Sequence, residues 1–290
     1  MRRTGHLKLI QELNQFMVLN TIRKEGPISK SEIAKRHHLS LTTVTSAVNH
    51  LIQDGLVYEE QPGASSGGRK PILLHFSSNR YFIVCLSISN TAITVGKLDL
   101  NPRIINKVSF DAEERKGIEY IDFLLSVADA FFNKMVDKEK CIGISLVAPG
   151  IVDYGSGIIR YNSKLMLKDV RLKQIFEEKF NIKTWLDNDS NAAVLAEKEI
   201  GDYQDYKNIL YVILSDGVGA GIVLNNSLFR GHKGGAGEFG HTIVESNGIR
   251  CECGNKGCLE SYVSWPAIHS RIYASIGKRE YSKMIELVSG

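Results

Sequence analysis

The stretch GEFGHTIVESNGIRCECGNKGCLE, residues 237–260, contains three of the five cysteines of the chain. Cys251, Cys253 and Cys258 lie within eight residues, and His241 precedes the first of them by ten. Structural zinc sites use four Cys or His ligands in a tetrahedron. The four residues predict a closed zinc site of this kind, with no open position for metal catalysis. Buried or redox-active thiols are the alternative, although the spacing favours a metal.

The N-terminus indicates where the protein works. MRRTGHLKLIQELNQ begins with basic residues, but it has no apolar core and no small-residue cleavage site, so we do not expect a secretory signal. No apolar run approaches the ~20 residues needed to cross a bilayer. We therefore expect a cytoplasmic protein with reduced thiols and no membrane association.

Positive charge is concentrated at the start of the chain. Residues 1–75 contain 10 Lys and Arg against 6 Asp and Glu, whereas residues 76–290 contain 26 of each. The asymmetry indicates a small basic module that contacts a polyanion, joined to a neutral body. A basic surface that only meets water is the alternative.

The sequence of the basic module predicts three helices. The first has an apolar stripe at helical spacing, made of Leu13, Phe16, Met17 and Ile22. Ser29 and Glu32 stand at the spacing of a capping box that opens a short second helix, and Ser40 can cap a third, which ends at Gly55. The buried face of the third helix consists of apolar residues three and four apart, namely Val44, Ala47, Val48, Leu51 and Ile52.

The polar face of the third helix is suited to DNA, because the first turns of a helix in the major groove reach base edges and phosphates. Its short hydrogen-bonding side chains are Thr42, Thr43, Thr45, Ser46 and Asn49. Beyond this helix two strand-like runs flank a glycine-serine tip that ends in Arg69 and Lys70, which suits a wing that lays cations on DNA. We predict a winged helix-turn-helix over residues 1–78. A helical hairpin for dimerisation is the alternative.

Residues 79–290 alternate between strands and helices. The apolar runs YFIVCLSI and CIGISLVAP are separated by a helical stretch, and NILYVILSDGVGAGIVL follows a further helix. This alternation predicts an α/β body.

Three motifs of the body, SLVAPGIVD, LDNDSNAAVLAE and SDGVGAGIV, together with the cysteine stretch, resemble the signature of the ROK family of repressors, open reading frames and sugar kinases. The winged module followed by SSGGRKP is similar to the repressor branch, which includes xylose and N-acetylglucosamine repressors. The resemblance implies an actin-like (sugar kinase/ribonuclease H-like) domain, with lobe 1 over about 79–205 and lobe 2 over about 206–290. Family members continue further past the CLE motif, so we expect a second lobe that is incomplete and a chain truncated at its C-terminus.

The resemblance also implies a sugar site in the cleft between the lobes. Glu238 and Glu260 match glutamates that hold sugar hydroxyls, and zinc would fix the loops that carry them. Asn162 is a weaker match, because the family varies there. The expected sugar-binding residues are Asn162, Asn188, Asp189, Glu238, His241 and Glu260.

The phosphate-binding loops differ from those of the family's kinases. Their first loop reads Asp-hydrophobic-Gly-Gly-Thr, whereas residues 87–91 here read SISNT, without the carboxylate and without both glycines. In the second loop Asp216 stands where the kinases usually have threonine or another neutral residue, and a carboxylate repels a triphosphate unless a metal lies between them. We therefore expect a retained sugar site, no catalytic residue and no enzyme activity.

These features predict a sugar-responsive regulator of transcription, a repressor of a carbohydrate-utilisation operon such as one for xylose, released from operator DNA by a sugar or sugar phosphate. We expect a homodimer or higher homo-oligomer, since one recognition helix reads too few bases. Two alternatives stay open: an ATP-dependent sugar kinase that carries a DNA-binding domain, and a repressor controlled by a partner protein.

Overall fold

The computed structural model describes residues 4–60 and 71–277 of the chain. The chain divides into two compact units, the first comprising Met1–Ile83 with Leu98–Ile105 and the second Val84–Lys97 with Asn106–Gly290. The domain boundary between residues 78 and 79 stays a prediction. Among the described helices, none combines the length and the apolar character needed to cross a membrane.

The first unit is a three-helix module with a small antiparallel sheet. Its elements are α1 (Thr4–Glu25), β1 (Ile28–Ser29), α2 (Lys30–His37), α3 (Leu41–Gln53), β2 (Val57–Glu60) and β3 (Leu73–Phe76). The sheet has the order β1-β3-β2, with Val57 opposite Phe76. Strands β2 and β3 flank the predicted wing tip, which lies outside the described residues together with Arg69 and Lys70.

Local side-chain bonds start the two shorter helices as predicted. Ser29 Oγ accepts the Glu32 N–H at 3.3 Å, and Glu32 Oε2 accepts the Ser29 N–H at 2.9 Å, which completes a capping box. Ser40 Oγ accepts the Thr43 N–H at 3.0 Å and caps α3. These caps satisfy backbone N–H groups at the start of each helix and so fix where α2 and α3 begin.

The core of the first unit differs from the predicted stripe on α1. Leu13 and Phe16 are 54% and 65% exposed, so the stripe is buried only in part. Only the C-terminal half of α1 packs on the core, through Val18 and Ile22. Ile52, predicted on the buried face of α3, lies at the edge of that face and is exposed, so this part of the prediction is wrong. The core consists of Val18, Ile22, Ile28, Ile33, Val44, Ala47, Val48, Leu51, Val57 and Leu74.

A five-stranded sheet, most of whose residues belong to the second unit, has the order β11-β7-β4-β5-β6, in which β11 runs parallel to β7. These strands are β4 (Phe82–Ile88), β5 (Ala92–Asp99), β6 (Ile104–Asp111), β7 (Cys141–Ala148) and β11 (Thr184–Asn188). The helices near it are α4 (Gly117–Asn133), α5 (Leu172–Phe180) and α6 (Asp189–Glu199). Strand β11 leads directly into α6, so the side chains of Asn188 and Asp189 lie at the junction of two regular elements.

Two smaller antiparallel sheets complete the described part of this unit. One contains β8 (Ile151–Asp153), β9 (Ile158–Asn162) and β10 (Leu167–Val170), and the other contains β12 (Ile209–Leu214), β13 (Val218–Leu224) and β14 (Ser227–Leu228). The cysteine stretch follows β14 and leads into α7 (Glu260–Val263) and α8 (Trp265–Gly277).

A candidate metal centre beside a carboxylate-lined cavity

Four side chains that can ligate a metal converge in the cysteine stretch. The ligand atoms of His241, Cys251, Cys253 and Cys258 all lie within 4.8 Å of one another. Both Cys253 Sγ to Cys258 Sγ and His241 Nδ1 to Cys251 Sγ measure 3.7 Å. A tetrahedral zinc ion with Zn–S bonds of about 2.3 Å separates its sulfurs by roughly 3.8 Å. The donor set and its spacing therefore fit a tetrahedral metal site.

Backbone contacts bring the histidine to the cysteines. Leu259 donates its N–H to the Thr242 carbonyl at 2.9 Å, which places the segment after the histidine beside the segment around Cys258. Gly257 has φ +74°, and a Cβ there would lie 1.6 Å from the Glu245 carbonyl oxygen. Only glycine allows this close approach of the two segments.

The three thiols of the cluster differ in exposure from one another. Cys251 and Cys258 are buried, whereas Cys253 is exposed at the surface of the loop. The other two cysteines, Cys85 and Cys141, belong to β4 and β7 and take no part in the cluster.

A cavity of about 440 Å³ adjoins this cluster, and His241 and Cys253 form part of its wall. The structure brings all six residues of the predicted sugar set to this one cavity, namely Asn162, Asn188, Asp189, Glu238, His241 and Glu260. Their role in binding a sugar stays a prediction.

Asn188 and Asp189 stand at the junction of β11 and α6. Asn188 Oδ1 accepts the N–H groups of Ser190 at 2.9 Å and Asn191 at 3.1 Å, and Asn188 Nδ2 donates to the Gly150 carbonyl at 3.0 Å. Asp189 Oδ1 accepts the Ser190 N–H at 2.8 Å. Most of the Asn188 amide is thus engaged in holding the helix start, a role that the motif alone does not reveal.

Asn162 also serves the loops around the cavity. Its side chain is buried, Oδ1 accepts the Leu165 N–H at 2.7 Å, and Nδ2 donates to the Pro149 carbonyl at 3.2 Å. The amide therefore ties the loop after β9 to the loop after β7.

The two glutamates of the cavity, Glu238 and Glu260, contact different parts of the structure. Glu260, the first residue of α7, accepts the N–H of Val218 through Oε2 at 2.7 Å. Glu238 Oε2 lies 3.7 Å from His241 Nε2. Because the Nδ1 of the same ring faces Cys251, His241 links the thiol cluster to a cavity carboxylate.

The carboxylates of the cavity are close enough to affect one another. Burial raises the pKa of Asp189. Burial is also the main cause that raises the pKa of Glu238; His241 opposes it, and the charges of Glu260 and Asp189 raise the pKa further. Hydrogen bonds that a ligand donates to these groups stabilise their charged forms and so offset the effects of burial and repulsion.

The turn that corresponds to the first phosphate loop binds its own N–H groups. Ser89 Oγ accepts the N–H of Thr91 at 3.3 Å and of Ala92 at 3.0 Å, and the Ser89 N–H bonds the Ala92 carbonyl at 2.9 Å. These donors are therefore already paired within the turn.

The glycines of SDGVGAG are explained by packing. A Cβ on Gly219 would lie 2.6 Å from Ser190 Oγ, and one on Gly221 would lie 2.2 Å from the Ser190 carbonyl oxygen. A Cβ on Gly217 would approach Glu260 Oε2 to 2.9 Å. The glycines thus let β12, β13 and their turn lie against the start of α6 and against Glu260.

Two cavity residues were missed by sequence reasoning. Lys164 donates through Nζ to the Asp216 carbonyl in the β12–β13 turn. Asn90 Oδ1 is buried and has no hydrogen-bond partner among the residues that the structure describes. No motif marks Lys164, because its contact is with a residue 52 positions away. For Asn90 the departure from the family loop is the signal that could have found it.

In the first unit, α3 presents a polar face. Thr42, Ser46 and Asn49, spaced by four and three residues, are exposed. Thr43 bonds Ser40 through its hydroxyl at 2.8 Å. Thr45 is only half-buried, so it lies at the margin of this face. Three of the five residues predicted on α3 therefore form one open face.

Comparisons with known proteins match both parts of the chain. The profile of the ROK family matches residues 83–290, and that of the MarR family matches residues 12–62. The xylose repressor of Bacillus spizizenii is 32% identical over 279 residues, which cover 96% of this chain and 72% of that protein.

Solved structures agree with these matches. The crystal structure of a ROK family transcriptional regulator, a homologue of the E. coli MLC protein, has a TM-score of 0.83 at 28% identity and covers 95% of this chain and 70% of that chain. A ROK family glucokinase from Streptomyces griseus, in complex with glucose and AMPPNP, has a TM-score of 0.59 at 26% identity, over 64% of this chain and 58% of that chain. The predicted fold class, a winged helix-turn-helix followed by the ROK α/β fold, is confirmed.

Proposed function

This chain belongs to the ROK family, and we propose that it is a repressor of transcription whose binding to operator DNA is controlled by a sugar. The observation that supports this most directly is the convergence of carboxylates and amides on one cavity beside the thiol cluster. The same chain carries a capped helix with an open polar face. A xylose repressor and a ROK transcriptional regulator resemble it over 95% or more of its length.

In the proposed sugar site the carboxylates accept hydrogen bonds from hydroxyl groups. Asp189 and Glu260 are each fixed by a backbone N–H through one oxygen, which leaves the second oxygen for a ligand. Glu238 is a third carboxylate acceptor, and the N–H groups of Asn162 and Asn188 that are not already bonded donate to ring or hydroxyl oxygens of the sugar. A sugar that lacks one of these hydroxyls leaves a buried acceptor unpaired, which makes the site selective.

We propose zinc as the metal of the Cys/His cluster. When bound, zinc supplies a fixed tetrahedral centre for one histidine and three thiolates. His241 would then hold Glu238 in place through Nε2, and Glu260 follows Cys258 by only two residues. We expect the protein to act in the cytoplasm, where thiols stay reduced.

We propose that the chain does not transfer phosphoryl groups. Phosphoryl transfer depends on donors and metal ions that neutralise the charge of the nucleotide. The N–H groups of the Ser89 turn are paired internally, and Asp216 adds a negative charge to the cavity wall. Asp189 then accepts a sugar hydroxyl bond and does not act as a general base.

For DNA binding we propose that α3 enters the major groove. Thr42, Ser46 and Asn49 contact base edges, and Thr43 and Thr45 lie toward the phosphates. Arg69 and Lys70 are proposed to place charge on the DNA backbone. We propose a homodimer, since paired half-sites give the specificity that one helix lacks.

The test begins with operator DNA selected from a random library by the purified chain. Fluorescence anisotropy then measures the affinity of that DNA in the presence of xylose, glucose, N-acetylglucosamine and their phosphates. We expect one sugar to weaken DNA binding; unchanged affinity with every sugar would contradict the proposal. An ADP-release assay with the same sugars should show no turnover, and activity at an ordinary enzyme's rate would support the kinase alternative.

A further inference from the structure

Charge in the cavity is strongly one-sided. Among the described residues that line it, Lys164 is the only lysine or arginine, and His241 is the only histidine. The acidic side chains that line it are Asp189, Asp216, Glu238, Glu252 and Glu260. An anion that enters therefore meets a surface on which carboxylates outnumber cations.

The one ammonium group is already engaged. Lys164 Nζ donates to the Asp216 carbonyl, across the cavity from the loop that carries it. Using this lysine to hold an anion would break that bond and would bring the anion next to the carboxylate of the same aspartate. The lysine is better placed to join the two loops than to bind a phosphate.

Several backbone N–H groups of the kind that hold phosphates in other proteins are also paired. The N–H groups at the start of α6 bond the side chains of Asn188 and Asp189. The Val218 N–H bonds Glu260, and the N–H groups of the first turn bond Ser89. The N–H groups named here, at the start of α6, at Val218 and in the Ser89 turn, are therefore not available to an anion.

Hydrogen-bond acceptors in the cavity wall, in contrast, are in excess. Asn90 Oδ1 is buried without a hydrogen-bond partner among the described residues, and it lies in the wall of the same cavity. The carboxylates add further lone pairs. A buried acceptor without a donor is unfavourable, so the ligand that fits this cavity must bring donors.

We infer that the cavity binds an unphosphorylated sugar and discriminates against its phosphate ester. This inference rests on the proposed function and specifies its ligand. A neutral sugar presents hydroxyl donors to the carboxylates and to Asn90, whereas a phosphomonoester carries a charge of about −1.5 to −2 and only additional acceptor oxygens. The signal that the protein reads is then the free sugar, before any kinase has phosphorylated it.

The experiment is isothermal titration calorimetry of the full, metal-loaded chain with matched pairs: glucose and glucose 6-phosphate, N-acetylglucosamine and its 6-phosphate, xylose and xylose 5-phosphate. For the pair that binds, we expect the neutral sugar to bind about tenfold or more tightly than its ester, because juxtaposed like charges are costly. Its affinity should change little between low and high salt.

Two variants test whether the charges of Asp216 and Lys164 cause the difference in affinity between the neutral sugar and its ester. Asp216→Asn removes one carboxylate outside the proposed sugar-binding set, and we expect it to strengthen binding of the ester while the neutral sugar binds as before. Lys164→Met should not weaken binding of the ester more than binding of the neutral sugar, because the lysine does not hold the phosphate. Binding of the neutral sugar reports that each variant is folded.

The outcomes separate the two proposals. An ester that binds more tightly than its parent sugar, and loses this advantage in Lys164→Met, overturns the inference and leaves the sugar-responsive repressor intact. Absence of binding by every sugar and every ester contradicts the proposed function, and the inference with it.

Discussion

The Nε2 atom of His241 lies 3.7 Å from a carboxylate oxygen of Glu238, while the Nδ1 atom of the same ring faces Cys251 at 3.7 Å. One imidazole therefore contacts both the thiol cluster and the cavity. A histidine held by a metal through Nδ1 has a fixed ring orientation, and its second nitrogen orients the carboxylate beside it. Metal binding and sugar binding are expected to be coupled through this ring.

Loss of the metal should weaken sugar binding. We expect Cys258→Ser to lose the bound metal and to lower sugar affinity by about 10- to 100-fold, the range found when the support of a metal site is disturbed. Metal content is measured by plasma mass spectrometry and affinity by calorimetry.

The matched control for this variant is Cys85→Ser, in β4 and outside the cluster. It should retain both metal and sugar binding. A metal-free Cys258→Ser protein with unchanged sugar affinity would show that the cysteines do not support the cavity.

Replacing Asp189 by asparagine should reveal the cost of its buried charge. Burial raises the pKa of Asp189 above its ordinary 3.8. Protonated Asp189 therefore stabilises the folded protein at pH values below the pKa that this group has in the unfolded chain. This stabilisation is lost as the pH rises through the higher pKa of the folded state. Relative to Asp189→Asn, the wild-type free energy of unfolding should fall as the pH rises from acid toward neutral, as measured by urea denaturation.

The same variant should lose sugar affinity by about 1–3 kcal/mol, because it replaces a hydroxyl acceptor with an amide. Asp122→Asn, on the exposed side of α4, is the control and should bind sugar normally. An Asp189→Asn protein with normal sugar affinity would remove this residue from the proposed site.

Asn49→Ala should weaken specific DNA binding. Asn49 is exposed on α3, and a base contact through two hydrogen bonds contributes about 1–3 kcal/mol of discrimination. Anisotropy with selected and scrambled DNA should show a loss for the selected sequence only.

Asn79→Ala provides the control, since Asn79 is exposed in the loop after β3. It should leave both affinities unchanged. Equal weakening with selected and scrambled DNA would indicate that Asn49 contacts the backbone and reads no base.

Gly221→Ala should destabilise the second unit. The added Cβ would lie 2.2 Å from the Ser190 carbonyl oxygen and 2.6 Å from Val194 Cγ1, so α6 and β13 must separate. Overpacking of this kind costs about 1–3 kcal/mol or more, which thermal unfolding detects.

The comparison is Gly155→Ala, whose Cβ would meet only Asp153 Oδ1, at 3.6 Å. We expect its melting temperature to stay near that of the wild type. A Gly221→Ala protein of normal stability would indicate that the glycine serves something other than packing.

Sequence reasoning succeeded where the signal was local. The caps at Ser29 and Ser40 depend on a side chain and a backbone N–H three residues apart, so their spacing was sufficient. The cysteine spacing with His241 predicted a cluster that the fold does assemble. It failed at Ile52, predicted on the buried face of α3 and found exposed, because helical periodicity shows that an apolar face exists but not how far the core extends across it.

The amino-acid sequence alone determined the family, the capped helices and the set of possible metal ligands, since these follow from short spacings and residue types. Only the tertiary structure decided which donors remain available in the cavity. Lys164 is paired with Asp216 52 residues away, and Glu260 is paired with Val218 42 residues away. Contacts between such distant segments depend on how loops and strands cross in three dimensions. For that reason the charge and the hydrogen-bonding balance of the cavity could not be read from the motifs.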